Sequence, residues 1–169
     1  MNSAQLDNRK TKTSRRLTRY GPLLLWMVLI SFASGHEFSA INTGQVFRQL
    51  ILKIFPHLSE EGVAAIHFLI RKLAHFSEYA VLGVLSARAF ASSLNDLLRR
   101  HWFQLALLLI VCYALLDEFH QSFVPGRTAS IYDSAIDVVG GLCALLVFRT
   151  WQNRRRSRAL IPKINGANS

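Results

Sequence analysis

The sequence predicts an all-α fold: a polytopic membrane bundle of four transmembrane helices, with a further amphipathic helix at the outer interface. Three observations point there. Hydrophobic residues make up 51% of the 169 and charged residues 18%, so mean hydropathy is positive (+0.23) despite 20 Lys and Arg. The basic residues gather in blocks between apolar runs instead of scattering, as they would on a soluble basic protein. Four such apolar runs recur within a chain of one domain's length. The net charge of +10 raises the question of nucleic acid. The basic blocks flank apolar spans and match no nucleic-acid-binding motif, so no nucleic-acid partner is expected.

The first run, residues 17–35 (LTRYGPLLLWMVLISFASG), follows a basic stretch at 1–16 that is expected to be a mobile cytoplasmic tail. A signal peptide shares this basic flank and apolar core, with Ala33 to Gly35 as its nearest approach to a cleavage site. No small-x-small site stands isolated, and a retained helix is the favoured reading. Residues 37–61 are not plain loop. Val46, Phe47, Leu50, Ile51 and Ile54 recur at helical spacing, Gln45, Arg48, Gln49 and Lys53 occupy the other face, and Pro56 stops the pattern. This predicts the amphipathic interfacial helix, with a lid packed on the bundle as its alternative.

The second run, 73–87, continues an upstream helix through 62–70; the third is 102–116 and the fourth 131–148. Each uncharged core falls short of the ~20 residues that span a bilayer. The second to fourth therefore reach across only with polar ends inside the membrane. Buried helices of a soluble bundle are the competing reading, and clean apolar inner halves with Arg-rich ends favour spans. A basic tail at 151–169 follows the membrane domain at 17–150, and both tails are expected to touch anionic lipid. Cys112 and Cys143 lie inside apolar runs and read as small packing residues, with a disulfide between them left open.

Lys and Arg counts set the orientation. With the N-terminus inside, the inner segments hold fifteen of these residues and the outer segments five: Arg48, Lys53, Arg71, Lys72 and Arg127. That asymmetry predicts a multi-pass protein of the inner (plasma) membrane with both termini cytoplasmic.

The remaining charges can be placed by depth. Counted from the inner arginines at ~1.5 Å per residue, His75, Glu78, Asp117, Asp133 and Asp137 lie about 15 to 25 Å along their helices. Three helices thus carry ionisable groups at similar heights in the outer half of the membrane. Such groups cost a few kcal/mol each unless paired or hydrated, which makes them functional candidates. Lys72, His75 and Tyr79 form one stripe (i, i+3, i+7); Asp117 and Gln121 are i, i+4; Asp133, Asp137 and Gly140 form another stripe. Gly83, Gly140 and Gly141 permit close helix approach. Pro125 and Gly126 signal a turn carrying Arg127, and Ser130 is placed to cap the fourth helix with Asp133 at its third position.

Roles follow from residue type. His75 is either a proton carrier or a structural hydrogen-bond partner of Glu78 or Asp117. Arg127 is either a clamp for phosphate or carboxylate or a bridge to Glu118 or Asp133. Asp117 and Glu118, being adjacent, are expected to diverge, one into the bundle and one toward the interface. Tyr79 and Gln121 read as helix–helix hydrogen-bonding groups, and Lys72 is placed to snorkel to lipid phosphate.

KLAHFSEYAVLG at 72–83, DEFHQSFVPGR at 117–127 and DSAIDVVG at 133–140 resemble the VanZ-like family, as does the first span ending in LISFASG. The resemblance covers roughly residues 21–148 and rests on three motifs in order on successive helices. It implies that Lys72, His75, Tyr79, Asp117, Glu118, Gln121, Arg127 and Asp133 are signature positions. Asp137 departs from it, since the family commonly carries Asn there, which adds an acid to the site. The family is named for a protein associated with teicoplanin resistance in bacteria, which implies a link to the cell envelope.

Three functions compete. One is recognition of a membrane lipid or an anionic, cell-wall-linked precursor through Lys72, His75, Tyr79, Asp117, Glu118, Gln121, Arg127, Asp133 and Asp137. Another is an intramembrane hydrolase or transferase using His75, Glu78, Asp117 and Asp133 as acid and base. The third is a proton-coupled transporter, for which four helices are few and which would require a homo-oligomer. Neither HExxH nor GxSxG is present, and no metal or cofactor is expected.

Overall fold

The computed structural model describes residues 3–34, 40–123 and 130–165, with side chains at 13–34, 47–123 and 130–158. The described residues form the helices α1 Ser3–Ala33, α2 Ala40–Ile54, α3 Glu60–Ala91, α4 Asp96–Arg100, α5 Trp102–Gln121 and α6 Ile131–Asn165. Helix boundaries follow local chemistry. Ser59 caps α3 by accepting from the Gly62 amide at 3.2 Å, and Glu60 and Glu61 in the first turn complement the helix dipole. Asn95 caps the short α4, accepting from Leu97 N at 2.9 Å.

The upstream stretch and the second apolar run merge into one helix, α3, as expected. α1 begins at Ser3 and α6 continues to Asn165, so most of both basic stretches continues the adjoining helix. The short α4 lies in the connection between the second and third runs, where sequence periodicity announced nothing.

Two segments, Trp102–Gln121 and Ile131–Arg158, are apolar and long enough to cross a bilayer. α1 and α3 do not meet that measure. The uncharged part of α1 is confined to 20–33, and α3 carries Arg71, Lys72, His75, Glu78 and Arg88 along its length. Apolar side chains nonetheless cover the outward faces of all four long helices. Leu25 and Val28 on α1, Phe68 and Leu73 on α3, Leu108 and Leu116 on α5, and Val147 on α6 are all exposed. A water-soluble bundle does not leave such surface open on every helix. Cys112 and Cys143 are unpaired and exposed on these same faces, so they line the outer surface of the bundle and not its interior.

α3 is the central helix. Its tightest neighbour is α6, and glycine makes the approach. A Cβ on Gly83 would stand 2.7 Å from the Gly141 carbonyl, one on Gly140 would overlap the Phe76 carbonyl, and one on Gly141 would press on Ile110 of α5 at 2.7 Å. Tyr79, Leu82, Ile110 and Leu145 fill the core, fully buried. α1 is tied on by polar contacts. The Trp26 indole donates to the Glu78 carbonyl at 2.9 Å, the Tyr113 hydroxyl donates to the Met27 carbonyl at 2.5 Å, and the Tyr20 and Ser93 hydroxyls bond at 2.8 Å.

α2 takes up the predicted amphipathic helix. Ile51 is buried and Phe47 meets the His67 ring at 5.8 Å, while Arg48 and Glu60 form an exposed ion pair. Leu50 and Ile54 remain exposed. One side of α2 therefore packs as a lid on α3, and the other stays free for an interface.

Candidate functional site

The polar residues that depth counting put at one height converge in space. The stripe Lys72, His75 and Tyr79 on α3 faces α5 and α6. Lys72 forms an ion pair with Asp133, with Arg71 4.0 Å from the same carboxylate. His75 Nδ1 lies 3.3 Å from Asp137 Oδ1, near enough for an ion pair with a protonated imidazole but not aligned as a hydrogen bond. Tyr79 is fully buried and its ring lies 6.4 Å from that of Tyr113. On α5 the i, i+4 relation is realised directly: Gln121 Nε2 donates to Asp117 Oδ2 at 2.8 Å. Both Asp133 and Asp137 are buried, the latter completely.

Several pairings differ from those the sequence suggested. The partner of His75 on α6 is Asp137, in place of Glu78 or Asp117 alone. The Asp133/Asp137 stripe held the signal, because two acids one turn apart match two α3 residues three apart. Glu78 is only half-buried, and its backbone carbonyl receives Trp26. Lys72 does not reach outward: it turns to Asp133, with its ammonium 5.0 Å from the Phe68 ring centroid.

Asp117 and Glu118 take different partners, but neither is left at an exposed interface. Both are buried, and at the junction with α6 the Glu118 Oε2 accepts from the Ser130 amide at 2.7 Å. Ser130 starts α6 through its carbonyl, which accepts from Asp133 N at 2.8 Å. Arg127, with the Pro125–Gly126 turn, lies outside the described residues. Sequence reasoning missed Arg71 and the buried Ser134, whose hydroxyl donates to the Ala114 carbonyl at 3.4 Å. Ser134 sits one turn before Asp137 and was readable as part of that face.

The arrangement is incompletely bonded within the protein. His75 Nδ1, Tyr79 Oη, Glu118 Oε1, Gln121 Oε1 and both carboxylate oxygens of Asp137 are buried and make no hydrogen bond among the described residues. Each such group costs about 1–3 kcal/mol and more when charged. A native core keeps few of them, and here they concentrate on three helices around one level. The chemistry available is a tyrosine hydroxyl, an imidazole, an amide oxygen and carboxylates, walled by apolar helix surfaces.

The VanZ/LLP1 family model matches residues 20–152, a stretch that includes all of these groups. No curated protein and no solved structure matches the chain significantly. Family membership, with two helices of crossing length, makes this a membrane protein. By its sequence and the order of its motifs, the chain belongs to the VanZ-like family described as VanZ/LLP1.

Proposed function

We propose that the chain is a cell-envelope protein with four membrane spans and both termini inside, and that its polar layer receives the head of a membrane lipid or lipid-linked cell-wall precursor. The observation that carries this reading is the set of six buried, unbonded polar atoms contributed by α3, α5 and α6. Open hydrogen-bonding capacity inside an apolar wall fits a ligand with a polar head and an apolar tail. Exposed apolar faces on all four long helices and the half-free α2 support access from the bilayer. The fifteen-to-five distribution of Lys and Arg supports the orientation, which puts the layer near the outer leaflet. An effect on teicoplanin susceptibility would follow from binding a precursor of the wall.

The test is native mass spectrometry of the protein extracted with its own lipids, wild type against Gln121→Ala and Tyr79→Phe. Retention of one lipid class by the wild type, reduced in the variants while the proteins stay monodisperse, is expected. An identical lipid spectrum for all three proteins sinks the reading. A second reading, an acid–base enzyme on a lipid-linked substrate, is favoured by the 3.3 Å approach of His75 and Asp137. It requires product formation from native lipid extract, abolished in His75→Gln.

A further inference from the structure

Two of the four buried acids of the layer are accounted for. Asp133 is neutralised by Lys72, and Glu118 holds the Ser130 amide. Asp137 is not, and Asp117 is held by the amide of Gln121 alone among the described residues. They share the core with His75, and the three residues each present a ligand atom within 4.8 Å of the other two. Asp137 is fully buried, and among the described residues neither its two oxygens nor the Nδ1 of the buried His75 makes a hydrogen bond. Two carboxylates buried this close, with no Lys or Arg paired to either among the described residues, cost several kcal/mol.

We propose that His75, Asp117 and Asp137 bind one divalent transition-metal cation of the zinc or manganese type. One imidazole nitrogen with carboxylate oxygens is a donor set for such ions, whereas calcium and magnesium take all-oxygen shells. Metal–ligand distances of about 2.0–2.2 Å put ligand atoms roughly 3–4 Å apart, so small side-chain movements close the set. Three protein ligands leave a coordination position open, the pattern of sites that hold water or substrate. Gln121, bonded to Asp117 at 2.8 Å, acts as the outer partner that orients this ligand. No linear motif announces the site, because each ligand comes from a different helix. The cation site rests on these three residues and not on the lipid reading. If that reading also holds, the open position gives an acid-rich layer the positive charge an anionic head requires.

The experiment is titration of the metal-stripped full-length protein, in lipid-free detergent, with zinc chloride and with cobalt chloride. Expected are one equivalent of zinc per chain and visible cobalt absorption, both retained in a Cys112→Ser, Cys143→Ser background. Asp137→Asn and His75→Gln should each weaken zinc binding roughly 100-fold or more, beyond the 10–100-fold typical of outer-partner changes. His75→Gln should also shift the cobalt spectrum by removing its nitrogen ligand. Circular dichroism and monodisperse elution show folding, and Asp117→Asn substitutes for whichever variant fails to fold. A wild-type protein that takes up no zinc or cobalt, or variants that bind as tightly as wild type, overturns the proposal. Metal uptake without any retained lipid class leaves the cation site standing and removes the lipid reading; the converse result does the opposite.

Discussion

The molecule handles charge in two contrasting ways at two levels of the same helices. At the arginine-rich end, Arg88, Arg99, Arg100, Arg149 and Arg155 are exposed. Arg100, Arg149 and Arg156 border an open cleft of about 280 Å3 with Trp102 and Phe103. Their contacts are loose: Arg99 pairs with Asp96 one turn away, Arg155 lies over Trp151 at 4.0 Å, Arg149 lies over the Phe103 ring of α5 at 5.5 Å, and Arg88 reaches the Thr18 carbonyl of α1 at 3.4 Å. At the polar layer, Asp117, Glu118, Asp133 and Asp137 are all buried; Asp133 and Asp137 face partners on α3, Glu118 bonds across the junction to Ser130, and Asp117 bonds Gln121 one turn along α5. Water and headgroups solvate the first set, so it needs no fixed geometry. The second set has lost water, so every member must find a partner or impose a cost. Position along a helix, more than residue type, decides whether a charge is topological or chemical.

Thermal unfolding in detergent can break that contrast. The largest effect is expected at Lys72→Met, which leaves Asp133 buried with Arg71, at 4.0 Å, as its remaining cationic partner among the described residues. Breaking a buried pair costs about 3–5 kcal/mol, and adding Asp133→Leu should recover much of it. A Lys72→Met protein that melts like wild type would erase the distinction between the two levels. Next is Gly140→Ala, whose methyl would overlap the Phe76 carbonyl; overpacking of this kind costs roughly 1–3 kcal/mol. Were it silent, the α3–α6 approach would not be what holds the layer together.

Glu118→Ala should cost about 1–1.5 kcal/mol by freeing the Ser130 amide, and Glu118→Gln should largely restore it. At the other end, Arg149→Gln should stay within ~0.5 kcal/mol of wild type, and a larger loss would mean that its contact with Phe103 is structural. Smallest of all is the exposed Arg48–Glu60 pair. Arg48 holds the Glu60 carboxyl below its ordinary value, so any contribution is present above the usual carboxylate range and is lost as pH falls through the lowered value. Glu60→Gln is expected to produce no measurable shift in melting.

Much of this was legible before any coordinates. Heights along helices come from a fixed rise per residue, so His75, Asp117 and Asp137 could be put at one level by counting. The i, i+4 relation between Asp117 and Gln121 became a hydrogen bond, and the glycines foretold a close crossing. Pairing was not legible. Which acid meets His75 depends on the rotation and offset of α6 against α3, which Gly83, Gly140 and Gly141 fix by backbone contact. Glu118 accepts from the Ser130 amide just ahead of α6, a contact that no property of α5 reveals.

The sequence by itself determined the helical class, the amphipathic α2, the family and the level at which charge enters the core, because these depend on local periodicity and composition. Only the tertiary structure decided that Lys72 turns to Asp133, that His75 meets Asp137, and that Asp117 completes a trio with them. Those are contacts between residues more than forty positions apart or on separate helices, and packing alone sets their distance.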